Sequence, residues 1–244
     1  MNDTKQSRKF PLVSLLCTIG LFILFLLFSI IIKYADVAAI GPNGSEVGFS
    51  ALNRAFHDLT AGDGYHEVLY KLTDILGLIP FAIVAGFAVL GLVQWIRRKS
   101  FLKVDRDIFV LGGFYVLVLA AYLFFEVVKV NFRPVLIDGK LETSYPSSTT
   151  MLALCVFATA MMQLYHRIKN KALRISLLSV IGALMAFMVI ARLISGVHWL
   201  TDIIGGFILS AALISLYQLV LMIVTPAPEA PADTGDTVDG GSAS

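Results

Sequence analysis

The sequence predicts an all-α polytopic membrane protein with six transmembrane helices and both termini on the cytoplasmic side. Three observations carry this. The 244 residues are 57% hydrophobic and only 15% charged, with a mean hydropathy of +0.82, far more apolar than a soluble domain of this size. Six stretches are long and apolar enough to cross the ~30 Å hydrocarbon core of a bilayer. The positive residues are also unevenly spread between alternate connections. Lys5, Arg8, Lys9, Arg97, Arg98, Lys99, Lys103, Arg106, Arg167, Lys169, Lys171 and Arg174 fall on one side. Only Lys33, Arg54, Lys71, Lys129, Arg133, Lys140 and Arg192 fall on the other. The richer side is the cytoplasmic one. A net charge of +2 makes no case for nucleic acid, and nothing in the sequence fixes an oligomeric state.

In chain order, residues 1–9 read as a short basic cytoplasmic arm, followed by a six-helix membrane domain over residues 10–224. The first span runs from about Pro11 to Ile32. Its apolar run exceeds the ~7–15 residues of a signal-peptide core, so it reads as a helix. Residues 35–70 form an extracytoplasmic loop with a short amphipathic helix over Ser50 to Thr60. The second span covers Leu72 to Ile96, with a kink expected at Pro80. The third runs from Ile108 to Val128, the fourth from Thr149 to Tyr165, the fifth from Leu173 to Ile194 and the sixth from Leu200 to Val224. Residues 225–244 are rich in Pro, Gly and acid and read as a disordered cytoplasmic tail. Cys17 and Cys155 sit inside apolar runs, as small core residues do.

Three polar clusters interrupt the apolar pattern, all on the outer side. In ARLISGVHWLTD, Arg192, His198 and Asp202 lie between the fifth and sixth spans, where charged residues are costly and carry function. His198 and Asp202 are four apart, so on a helix they share a face, and a carboxylate beside an imidazole fixes its tautomer. Arg192 supplies a planar cation suited to phosphate. In EVVKVNFRP, a continued helix would put Glu126, Lys129 and Arg133 on one stripe; a helix end snorkelling to lipid headgroups would look the same. In SYPSSTT, the run before the fourth span is a helix cap, and a helix start also binds phosphate. Trp199 and Tyr145 suit interfacial aromatic belts, with contact to substrate the alternative for Tyr145, and Gly205-Gly206 suits close helix packing.

The order and spacing of these clusters resemble the type 2 phosphatidic acid phosphatase family, whose motifs read K-x6-RP, PSGH and SR-x5-H-x3-D. Arg192, His198 and Asp202 match the third motif, with Ala191 in place of its serine. Arg133-Pro134 matches the end of the first and Pro146-Ser147 the start of the second. The resemblance spans about Phe101 to Leu219. It implies a metal-independent, cofactor-free membrane lipid phosphatase with His198 as the nucleophile that becomes phosphohistidine and Asp202 orienting it. Arg133, Arg192, Ser147 and Ser148 would hold the phosphoryl oxygens, with Lys129 assisting. The expected setting is a bacterial plasma membrane with the site facing outward.

Two departures bear on the chemistry. Glu126 stands where the family has its first-motif lysine, and Lys129, one turn along, is the candidate replacement. Ser148-Thr149 stands where the family has the PSGH histidine, the general acid for the leaving oxygen. Losing such an acid typically costs ~10²–10⁴ in rate. A lipid monophosphate leaves as an alkoxide and needs that proton. A lipid diphosphate leaves as a phosphomonoester with a second pKa near ~6 and does not, so a polyprenyl diphosphate is the expected substrate. Glu126, Thr149 or a loop histidine, His57 or His66, is the candidate substitute acid, against ordinary roles of Glu126 pairing with Lys129 and the histidines lying exposed. The alternatives are a phosphotransferase, and a catalytically silent protein that binds or transports lipid phosphates.

Overall fold

The computed structural model describes residues 2–225, and the side chains of residues 11–225. Among the described residues eight α-helices form in chain order: α1 (Asn2–Tyr34), α2 (Ser50–Thr60), α3 (Glu67–Leu76), α4 (Leu78–Arg98), α5 (Arg106–Val127), α6 (Ser148–Arg167), α7 (Lys171–Ile194) and α8 (Leu200–Val224). Six spans are long and apolar enough to cross a membrane, α3 and α4 together making the second. The protein is therefore an integral membrane protein, as its composition predicts. Helix α1 begins at Asn2 and so runs through the basic arm; the tail beyond Thr225 lies outside the described residues.

The second span breaks three residues before Pro80, at Gly77 between α3 and α4. Proline has no N–H for the carbonyl four residues back, here Leu76, and its ring crowds that carbonyl. The interruption therefore falls at the end of α3, one turn ahead of the proline. Helix α3 leans on α7, while α4 continues inward beside α5 and α6.

Helix α6 is the centre of the bundle. It is the most enclosed span, with 56% of its apolar window buried, and it contacts α4, α5, α7 and α8. Its buried face, with Met151, Cys155 and Val156, packs with Leu111, Phe114 and Val118 of α5 and Leu209, Leu213 and Tyr217 of α8. Helix α1 lies along α8, pinned to it by Thr18 Oγ1 to Ser215 Oγ at 2.7 Å, and to the segment before α6 by Ser29 Oγ to Tyr145 Oη at 2.8 Å. At the far end from His198, Asp105 accepts from Gln94 Nε2 and Arg98 Nη1, both at 2.7 Å, and Arg167 Nη2 donates to Asp107 at 2.5 Å. These contacts tie α4, α5 and α6 together. Arg98 beside it holds the Asp105 carboxyl below its usual range.

On the opposite end the chain builds a roof. Buried Asn53 of α2 donates to Thr201 Oγ1 at 2.9 Å and accepts from Thr201 N at 3.2 Å. His66 N donates to the Ser195 carbonyl at 2.8 Å. The loop between α1 and α3 thus clamps the turn that carries His198.

Candidate active site

His198 sits in the turn between α7 and α8, just before the residue that caps α8. It does not share a helix face with Asp202, contrary to the spacing argument. Gly196 starts that turn at φ +76°, a conformation that favours glycine, and a β-carbon there would meet Ala61 Cβ at 2.4 Å. The turn brings Asp202 Oδ2 to 3.7 Å from His198 Nδ1. The nearer partner of Nδ1 is the Ser144 carbonyl at 3.1 Å. A carbonyl accepts only, so Nδ1 carries the proton and Nε2 keeps its lone pair. Nε2 is buried and has no hydrogen-bond partner. Burial, with Arg133 and Arg192 beyond it, holds the imidazole well below its ordinary pKa, so the ring is neutral and Nε2 is a free base.

Asp202 is fully buried. Oδ2 accepts from the Trp199 backbone N–H at 2.9 Å, closing the first turn of α8, and Oδ1 lies 3.5 Å from Asn131 Nδ2. The carboxylate fixes the turn that aims His198, and its contact with the ring is secondary to that of the Ser144 carbonyl.

His198 faces a cavity of about 610 Å³, which Arg133, Arg192, Lys129, Glu126, Ser148 and Thr149 also line. Arg192 is 2% exposed. Its Nη1 donates to Thr73 Oγ1 at 3.1 Å, its guanidinium lies 5.0 Å over the Tyr70 ring, and its Nε has no partner. Two α3 residues that the motifs do not mark, Tyr70 and Thr73, therefore hold it. Both come from the polar loop and the start of the second span, and no local spacing points to them.

Arg133 reaches the cavity by a route other than the expected helical stripe. Helix α5 ends at Val127, and Val128 is extended. Residues 131–144 then fold back on themselves as an irregular ribbon held by isolated bridges, Phe132 opposite Thr143 and Ile137 opposite Lys140, and by Ser144 N donating to the Asn131 carbonyl at 2.9 Å. Valines at 127, 128 and 130 favour extended backbone over helix, and Pro134 cannot continue one. Arg133 N donates to the Glu142 carbonyl at 3.0 Å, and its Nε stands 3.0 Å from Glu142 Oε2, in an ion pair not aligned as a hydrogen bond. Arg133 Nη1 is buried without a partner. Trp199 Nε1 donates to the Phe132 carbonyl at 2.7 Å, tying the ribbon to the histidine turn.

Other expectations are corrected here. Ser147 caps α6, its hydroxyl taking Thr150 N at 3.4 Å and Thr150 Oγ1 at 3.0 Å, while its own N–H goes to the Asp202 carbonyl at 3.0 Å. Its hydroxyl accepts both of those bonds, its side chain is buried, and it stands outside the cavity lining, beneath the wall that Ser148 and Thr149 form. Trp199 and Tyr145 are buried, 3% and 1% exposed, with their polar tips bonded inside the protein, and Tyr145 lines the cavity. His57 is buried too, bonded to the Gly196 carbonyl at 3.1 Å. His66 is exposed and bonded to the Thr60 carbonyl at 2.8 Å. Neither histidine lines the cavity. Glu126 and Lys129 both line it but make no ion pair, since the chain leaves the helix between them. Gly205 packs closely, as expected, but against the Tyr145 ring: a β-carbon there would lie 2.3 Å from Cε2. Among the described residues, no group of three or more His, Cys, Asp or Glu side chains is placed to hold a metal ion.

The arrangement offers a neutral imidazole nitrogen in one cavity with two guanidinium groups, that of Arg192 buried and that of Arg133 partly buried, each with buried nitrogens that lack a hydrogen-bond partner. Preorganised cations around a nucleophile are what phosphoryl transfer requires. Comparison with known proteins finds a family likeness and a shared fold. The model of the PAP2 superfamily matches residues 125–224, which hold the ribbon, α6, α7, the histidine turn and α8. A crystal structure of a transmembrane PAP2-type phosphatidylglycerolphosphate phosphatase from Bacillus subtilis shares the fold, with a TM-score of 0.54 and 19% identity over 87% of this chain and 99% of that one. No curated protein matches in sequence. The resemblance to the type 2 phosphatidic acid phosphatase family is thus borne out, by the family model over residues 125–224 and by the fold across the bundle.

Proposed function

We propose that the protein hydrolyses a lipid diphosphate, such as a polyprenyl diphosphate, at the outer face of the membrane through a phosphohistidine on His198. The observation that carries this reading is the buried, unpartnered Nε2 of His198 in one cavity with the unpartnered N–H groups of Arg133 and Arg192. The Nε2 lone pair attacks the terminal phosphorus, the P–N bond forms and the bridging P–O bond breaks. The Ser144 carbonyl holds the Nδ1 proton as the ring gains positive character. Arg133 and Arg192 take the charge on the equatorial oxygens. Water then attacks phosphorus, releasing inorganic phosphate and restoring the neutral ring.

The substrate follows from Thr149, which stands on the cavity wall where the family has an acid. Threonine does not donate a proton at neutral pH, and a leaving phosphomonoester with a second pKa near ~6 does not need one. Glu126, which lines the cavity together with Asp74 and Glu142, is the carboxyl group we propose as the replacement acid for poorer leaving groups.

The test is phosphate release by purified protein in detergent from polyprenyl diphosphate, polyprenyl phosphate and phosphatidic acid, with His198→Ala as control. Release from the diphosphate, lost in the variant and much slower from both monophosphates, is expected. Equal release from all three would overturn the substrate assignment and direct attention to Glu126. Release that survives His198→Ala would overturn the mechanism.

A further inference from the structure

We propose that the outward face of α2 docks on the outer leaflet of the bilayer, at the boundary between headgroups and acyl chains, and that this contact keeps the turn carrying His198 closed. The docking is independent of which lipid His198 acts on.

Helix α2 is inverted relative to a helix of a soluble protein. An amphipathic helix ordinarily buries its apolar stripe and leaves its polar residues outside. Here the face turned to the protein is polar, its buried residues being Ser50, Asn53 and His57. At 3.6 residues per turn, Ala51, Leu52, Ala55 and Leu59 fall on the opposite face. All four are exposed, Leu59 by 81%, and half-buried Phe56 borders them. Arg54 and Asp58, both exposed, form a charged flank between the two faces. Three sectors thus match three surroundings: protein, hydrocarbon and water. A helix that lies in the membrane interface beside a bundle needs that division.

The placement of α2 agrees with it. At its start, Phe49 N donates to the Ala35 carbonyl at 2.9 Å and Ala51 N to Asp36 Oδ2 at 2.8 Å, just past the end of α1. The Phe49 ring lies 6.3 Å from that of Phe28. Phe28 stands about 9 Å down the axis of α1 from Tyr34, at ~1.5 Å per residue, so α2 enters below the rim of that span. At its other end Ala61, the residue after α2, packs against Gly196 of the histidine turn. The helix therefore runs across the outer ends of the spans. Its apolar stripe continues the surface of α1, where Leu27, Ile30 and Ile31 are exposed.

The polar face of the same helix grips the turn on both sides of His198. Asn53 bonds to the hydroxyl and the N–H of Thr201, and His57 Nε2 donates to the Gly196 carbonyl at 3.1 Å. Lifting α2 off the turn would draw Leu52 and Leu59 out of lipid into water, which is unfavourable. The bilayer thereby opposes opening of the turn.

The location is tested with spin labels at Leu52→Cys, Leu59→Cys and Arg54→Cys in the full-length protein. Cys17→Ala removes the exposed native thiol; Cys155 is buried. The protein is placed in vesicles of phosphatidylethanolamine and phosphatidylglycerol. Labels at 52 and 59 are expected to relax with oxygen more than with a water-soluble nickel chelate, and the label at 54 the reverse. Relaxation dominated by nickel at 52 and 59 would put the face in water and overturn the proposal. Protection from both reagents would overturn it too, in favour of a second copy or another protein on this face. The coupling is tested by hydrogen exchange in the same lipids, with the exposed pair changed together, Leu52→Gln and Leu59→Gln. The Thr201 amide is expected to exchange about tenfold faster, in line with one leucine's burial, while α6 is unchanged. No change at Thr201 would overturn the coupling, and so would faster exchange throughout α6, which would give the leucines a general folding role.

Discussion

Thr73→Val removes one hydroxyl and keeps the shape of the side chain, at a residue with no counterpart in the three motifs. Thr73 Oγ1 accepts from Arg192 Nη1 at 3.1 Å, and both side chains are buried, 0% and 2% exposed. The guanidinium already leaves Nε unpaired, so Thr73 is what fixes its plane besides the Tyr70 ring. A hydrogen bond to a charged group contributes about 1.5–3 kcal/mol. If that energy is lost from the transition state, kcat/KM falls about 10- to 150-fold at ~1.4 kcal/mol per decade. The assay is steady-state phosphate release from polyprenyl diphosphate, with Thr73→Ser as the rescue variant, expected within about threefold of wild type. Tyr70→Phe keeps the ring face and is expected to be silent, whereas Tyr70→Leu loses a cation–π contact of roughly 0.5–2 kcal/mol. Unchanged kcat/KM in Thr73→Val would refute the claim that α3 aligns Arg192 for phosphate.

Three further outcomes are expected. Ser147→Ala removes the cap of α6 and lowers stability by about 0.5–2 kcal/mol, read as a lower Tm, while KM for the lipid stays near wild type because Ser147 is outside the cavity lining. Gly205→Val drives a side chain into the Tyr145 ring, 2.3 Å from the β-carbon position, and is expected to cost several kcal/mol as an overpacked core does, at about 1–3 kcal/mol or more; thermal unfolding in detergent reads it. Stability should also fall with acid through His198. Its native pKa is depressed by burial and by Arg133 and Arg192, so below about pH 6.5 the unfolded chain binds a proton that the native protein does not. The loss accumulates as pH drops from there towards the native value, and His198→Gln should flatten that part of a Tm-against-pH curve.

The six spans, their order and the α2 helix were legible because each is a continuous local pattern: apolar length, a Pro-Ser cap, a basic stop. The residues of the third motif were legible for the same reason. What the sequence could not convey was how distant segments close on them. Helix periodicity puts Glu126, Lys129 and Arg133 on one stripe, but valine-rich backbone takes the chain out of the helix at Val128 and on into an irregular ribbon. The four-residue spacing of His198 and Asp202 suggests a helical pair, yet the capping turn at Trp199 gives Nδ1 to Ser144, 54 residues away. Thr73 and Arg192 lie 119 residues apart, and Asn53 and Thr201 148. Such contacts leave no trace in local spacing, so the roof and the α3 wall emerged only with the fold.

The central claim is that His198 Nε2 takes the phosphoryl group, and trapping tests it most directly. Wild-type protein is mixed with terminally radiolabelled polyprenyl diphosphate, quenched in alkali within the first turnover, digested and mapped by mass spectrometry. The account predicts label on the peptide containing His198, stable to base and released by acid, with one phosphoryl group per active site at most and none in His198→Ala. Rapid hydrolysis with no acid-labile label on that peptide, or label on any other residue, would contradict it.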